Sequence, residues 1–237
     1  MKQYHHGYVV AGNIERPVGM YGSSITLAVV VSAIVGWLRA RLFCAALSFP
    51  SGCHPSSAFE VYRDLKTLSE MSVVACWLVG WTRPPSWRKA VGFLGIFFAF
   101  PVVFGGIGEI SAMKTSLSGV SLGANAPTAV FGAVFVVIAA FFGRSVWRRR
   151  RDRLRCLSYT SSRAAVWSFY TASAVILRLS GYHLHVHHLY VGFLVAIVAG
   201  ADRDGELSWP DVVCFAVGMS VLVEGVGVYN FATIVQD

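Results

Sequence analysis

The chain has 237 residues, 55% hydrophobic and 14% charged, with a mean hydropathy of +0.59, a balance that argues against a soluble globular domain and for an integral membrane protein. The formal net charge of +8 would suit a nucleic-acid partner in a soluble chain, but seven of the twenty Lys and Arg lie between Arg144 and Arg155, in "GRSVWRRRRDRLRC". That run follows an apolar stretch directly, so it reads as a topology anchor at a membrane face and no nucleic acid is expected.

Apolar runs read against turn signals give about seven transmembrane helices, an all-α polytopic bundle forming a single membrane domain over 1–237. The opening stretch lacks a continuous apolar core and a small-residue cleavage pattern, so no cleavable signal peptide is expected. The first span covers 23–46, with Arg39 and Arg41 late enough to snorkel. The second, 68–81, is short and ends at "TRPPSW", because a proline pair cannot continue a helix. The third, 90–110, contains Pro101 followed by Gly105, Gly106 and Gly108, and should be kinked or locally unwound. The fourth covers 127–147, the fifth 164–179, the sixth 182–201 and the seventh 209–235. Ser208 with Asp211 has capping-box spacing and Pro210 sits in the first turn, which marks the start of the last helix.

Alternating these spans across a membrane puts fourteen Lys and Arg on one side and six on the other, namely Arg39, Arg41, Arg63, Lys66, Lys114 and Arg178. The arginine-rich side should face the cytoplasm, or the matrix of a mitochondrial inner membrane. Arg148, Arg149, Arg150, Arg151, Arg153 and Arg155 would meet anionic lipid headgroups there, cardiolipin where the membrane contains it. Gly192, Ala196 and Gly200 form a small-residue stripe on the sixth span, matched by Gly218 and Gly225 on the seventh.

The one concentration of chemistry-bearing side chains is "GYHLHVHHLYVGFLVAIVAG", with His183, His185, His187 and His188. On a helix, His183 and His187 share one face while His185 and His188 lie on roughly the opposite one. On an extended segment His183, His185 and His187 share a side, which suits a zinc or copper site. The expected further ligand is Glu224, placed ~20 Å in from the start of the last span by the rise of a helix. A carboxylate at that depth is rare and is paired or functional, since burying it uncompensated costs at least ~2.5 kcal/mol. Without a metal, the same groups can hydrogen-bond to headgroups, carbonyls and one another. Haem is disfavoured, because His5, His6 and His54 all fall outside the expected spans. Five cysteines without a CxxC fix no redox compartment and leave the pairing of Cys44 and Cys53 open.

The closing block, "HVHHLYVGFLVAIVA" and then "VVCFAVGMSVLVEGVGVYNFATIVQD", resembles the carboxyl-terminal pair of membrane helices in fungal and protist LCCL-domain membrane proteins. That family shows an H-x-H-H-aromatic-x-x-G opening and a glycine-rich second helix ending in an aromatic and I-V/L-Q. The match falls on His185, His187, His188, Tyr190 and Gly192, then Gly218, Gly225, Tyr229 and Ile234, the last quarter of the chain. The LCCL domain itself is absent from these residues, and the family carries an amide where Glu224 stands. The resemblance implies a pair of membrane helices and no particular activity.

No nucleophile elbow, phosphate-binding loop, dinucleotide fingerprint or set of separated histidine boxes occurs. Two readings follow. One is a non-enzymatic accessory or scaffold subunit, partnered by lipids and other membrane subunits, in a larger assembly such as a mitochondrial respiratory or ATP-synthase complex. The other is a membrane metalloprotein, redox or hydrolytic, built on the histidines and Glu224.

Overall fold

The computed structural model describes residues 18–47, 57–108, 125–180, 183–184, 188–229 and 235–236. These form seven helices: α1 (Val18–Leu47), α2 (Ala58–Val79), α3 (Trp87–Gly108), α4 (Asn125–Arg149), α5 (Arg153–Leu179), α6 (His188–Ala196) and α7 (Trp209–Tyr229). A two-residue antiparallel pairing, His183 with Gln236 and Leu184 with Val235, joins β1 (His183–Leu184) to β2 (Val235–Gln236).

The all-helical expectation holds, but seven spans do not follow from it. Among the described residues two helices are long and apolar enough to cross a membrane, Ser24–Phe43 within α1 and Trp209–Gly227 within α7. Three expected spans differ for physical reasons. The second extends backwards to Ala58 and so takes in Glu60, Arg63, Asp64, Lys66 and Glu70. Its start is a capping box in which Ser57 and Glu60 satisfy each other's backbone N–H, a pairing that also holds the Glu60 carboxyl below its ordinary range. The fifth begins at Arg153, not near 164, and carries Arg155 and Arg163 within its first three turns. The expected sixth span is a nine-residue helix of ~14 Å, too short to cross ~30 Å of hydrocarbon. The expected local unwinding at Pro101 is not seen, since α3 runs without a break through Pro101 to Gly108.

Helix α7 is the hub. It packs against α6, α3 and α1, and 72% of its apolar window is buried, against 33% for α1. Close approaches set the registers. A Cβ on Gly192 would lie 2.2 Å from the Leu222 nitrogen, and one on Gly218 would lie 2.3 Å from the Ala196 nitrogen, so α6 and α7 cross antiparallel with backbones nearly touching. Gly36 faces Val223 and Gly227 faces Ala40, so α1 runs parallel to α7. Trp81, Phe93, Phe97 and Phe215 tie α3 to α7 through edge and stacked contacts at 5.8 to 5.9 Å. Gly200 is outside the expected stripe and instead meets Arg149 and Tyr159.

These registers sort the helix ends into two groups. The α2–α3, α4–α5 and α6–α7 connections lie at one end, the arginine end, and β1–β2 lies beyond the far end of α7. Gly205, at φ 76°, lets its carbonyl accept from the N–H groups of Thr82 and Arg83 at 3.1 and 3.0 Å, and Lys89 pairs with Glu206. Two of the three arginine-end connections are thereby fastened to each other.

Candidate functional site

Two polar groups are built into this otherwise apolar frame. The first surrounds the segment after α6. Once the helix stops at Ala196, the carbonyls that follow have no helical partners, and buried carbonyls must find donors elsewhere. The donors come from α4 and α5. Arg163 gives its Nε to Ile197 O at 2.9 Å and its Nη2 to Ala199 O at 3.2 Å and to Leu78 O. The Tyr159 hydroxyl donates to Val198 O, Arg149 to Ala201 O at 2.7 Å, and Arg155 to Asp202 O at 2.7 Å. Ala201 N donates to Val79 O at 2.8 Å, which joins the same segment to the end of α2.

The ring of Tyr159 also has Arg149 at 4.4 Å and Arg163 at 4.2 Å. Burial pushes the Tyr159 phenol up and the Arg149 guanidinium down from their ordinary values. Arg148 pairs with the buried Asp211 at 2.6 Å and donates to Ser208 at 3.0 Å, while Arg144 lies 3.6 Å from the same carboxylate. Ser208 and Asp211, the pair expected to cap α7, are therefore both engaged by α4. Asp152 pairs with Arg203 at 3.2 Å. What is left of the arginine run faces outward: Arg150, stacked on Trp147 at 3.3 Å, and the exposed Arg151 and Arg153.

The second group lies towards the other end. Asp64 on α2 is fully buried and accepts from Arg41 at 2.9 Å and from the Trp37 indole at 3.3 Å, both on α1. Arg39 turns the other way. It donates to the Phe98 carbonyl on α3 and lies 5.5 Å from the Phe98 ring. Pro101, one turn further on, has no N–H to give, so this stretch of α3 is short of one helical donor. Arg39 is also the charge that acts on Glu224 of α7. Glu224 Oε2 and, one turn earlier, Ser220 Oγ are buried without a hydrogen-bond partner among the described residues.

Of the sequence-derived site, Glu224 is thus a partly buried carboxylate on α7 that feels the charge of Arg39. His185 and His187 lie outside the described residues, as do the side chains of His183 and His188. The backbone is extended at His183 and helical from His188, so the four histidines do not share one helix. Among the described residues no group of three His, Cys, Asp or Glu is placed to hold a metal ion. Asp64 was missed because it sits in a polar stretch that reads as a loop before a short span. Its one sequence signal is the capping box at Ser57 and Glu60, which would have started the helix ahead of it.

Comparison with protein-family models, curated proteins and solved structures returns no match. The likeness of the closing block to LCCL-domain membrane proteins rests on its sequence motifs alone.

Proposed function

We propose that the chain is a membrane-embedded, non-enzymatic accessory or scaffold subunit, held in a larger assembly through its outward helix faces. One observation carries this reading. Helix α1 buries Ile25, Val29, Ala33, Trp37 and Ala40 against the bundle and exposes Leu27, Val31, Val35, Leu38 and Leu42 in a second continuous stripe. A helix that is apolar all round belongs in a core or a membrane, and a stripe of this size facing water would be an aggregation site. Helices α4 and α5 also turn apolar side chains outward while some charged groups are buried. Asp64, Arg163 and Asp211 are buried, while Phe135, Val136, Val137, Phe169, Val175 and Ile176 face outward on α4 and α5.

In this reading α1 and α7 both cross from the arginine end to the far end, the chain between them returns across the same layer, and the outer faces of α1, α4 and α5 meet lipid or neighbouring subunits. The charge bias puts the arginine end on the cytoplasmic side, or the matrix side if the assembly is mitochondrial. The test is extraction followed by sizing. The chain should stay in the membrane pellet after alkaline carbonate and, in mild detergent, migrate in a complex much larger than its own 25.8 kDa. A released chain, or a monodisperse and thermally stable monomer, would count against it. The metalloprotein reading keeps one support, the Glu224 oxygen that has no hydrogen-bond partner among the described residues, and is tested by elemental analysis of the same purified assembly.

A further inference from the structure

We propose that the tip of the α4–α5 hairpin is a docking site for anionic lipid headgroups, formed by Arg150, Arg151 and Arg153 above an apolar ledge of Trp147, Leu154 and Leu157. The proposal rests on the membrane reading above and narrows it to particular side chains. Seven cations crowd residues 144–155, but the fold consumes four of them. Arg144 and Arg148 lie against Asp211, and Arg149 and Arg155 donate to the carbonyls of Ala201 and Asp202. The single carboxylate of the run, Asp152, is taken by Arg203. Arg150, Arg151 and Arg153 are exposed and form no ion pair among the described residues.

The ledge supplies the second half of the argument. Trp147 is 64% exposed, Leu154 80% and Leu157 56%, in the same turns as the three cations, and Arg150 lies flat on the Trp147 indole. An indole and aliphatic side chains at the acyl boundary, with guanidiniums just beyond them, match the layering of a bilayer whose headgroups carry phosphate. The outward apolar faces of α4 and α5 lead up to this layer from the other side. Net charge decides the occupant, because three uncompensated guanidiniums over an apolar shelf select a phosphodiester joined to acyl chains over a zwitterionic lipid or a bare ion.

The experiment uses the full chain in neutral detergent, titrated with phosphatidylglycerol, phosphatidylcholine or inorganic phosphate while its melting temperature is followed. Phosphatidylglycerol should raise the melting temperature at concentrations where the other two do nothing. The triple variant R150Q/R151Q/R153Q should need about a hundredfold more of it, at roughly fivefold per cation, whereas Lys66→Gln, at the other end, should respond like the unaltered chain. Brominated phosphatidylglycerol should quench a component of tryptophan emission that Trp147→Phe lacks. Equal stabilisation by phosphatidylcholine, equal stabilisation by inorganic phosphate, or an unchanged titration in the triple variant overturns the proposal. The membrane reading is judged separately: a chain that stays with membranes in carbonate but fails the lipid titration loses this site alone, and one released by carbonate loses both.

Discussion

Arg163 and Tyr159, one turn apart on α5, together hold three consecutive carbonyls of another segment: Arg163 those of Ile197 and Ala199, and Tyr159 that of Val198. They act as one clamp, since the guanidinium also lies 4.2 Å from the phenol ring. Arg163 reaches Leu78 as well, so α2, α5 and the end of α6 meet at this side chain. Arg163→Met keeps the length and removes every donor. It should destabilise by on the order of 3 kcal/mol, because three buried carbonyls lose their partners. Tyr159→Phe orphans one carbonyl and should cost about 1 kcal/mol. Thermal unfolding in detergent measures both, and an Arg163→Met protein that melts with the unaltered chain would show that the clamp is not holding the segment.

The α6–α7 crossing makes a prediction of opposite sign at two kinds of glycine. At Gly192 a Cβ would sit 2.2 Å from backbone, which no side-chain movement can relieve, so Gly192→Ala should cost at least 1 to 3 kcal/mol by forcing the helices apart. At Gly95 on α3 an added Cβ meets nothing within 4 Å. Gly95→Ala should be neutral or stabilise by up to about 1 kcal/mol through helix propensity alone. The same melting curve reads both variants, and equal effects would refute the packing assigned to Gly192.

The stripe that contains Gly192 and Ala196 was legible in the sequence, because small residues four apart are a local pattern with a direct packing consequence. The same holds for the start of α7 at Trp209, the helical nature of the chain and the placement of the arginine loop opposite His183. What was not legible was how each apolar run would be used. Residues 182–201 read as one crossing helix, yet the helix runs only from His188 to Ala196, and donors from α4 and α5 take the carbonyls beyond it. Those donors are 34 to 52 residues away in sequence, and no local rule connects them. The arginine run likewise reads as uniform in sequence, whereas the fold divides it into cations turned inward and cations left outside.

Asp64 supplies a test of the second polar group. It is fully buried against Arg41 at 2.9 Å, and Arg41 is itself 14% exposed, so removing the carboxylate takes a counter-charge away from a largely buried guanidinium. Asp64→Leu should cost about 3 to 5 kcal/mol. The double variant Asp64→Leu with Arg41→Met should recover much of that loss, since an apolar pair of similar volume replaces a buried ion pair at little net cost. A double-mutant cycle on unfolding free energies gives the coupling. Additive losses would mean that the two side chains do not share a fate.

Glu224 tests what stands next to a partly buried carboxylate on α7. Arg39 is the charge acting on it, and Arg39 is anchored to the Phe98 carbonyl, one turn before Pro101. If Arg39 is its working partner, Glu224→Gln leaves that cation without a counter-charge inside an apolar frame and should destabilise by about 1 to 3 kcal/mol. Arg39→Gln in the same background should restore part of the loss, because two amides can hydrogen-bond where two charges stood. If the histidines between 183 and 188 hold a metal with Glu224, the outcome differs in kind: Glu224→Gln lowers the metal content of the purified protein, and Arg39→Gln does not restore it. Melting temperature and elemental analysis on the same three samples separate the cases. A Glu224→Gln protein with unaltered stability and unaltered metal content would remove both roles, leaving the carboxylate as a side chain that the bundle tolerates without using.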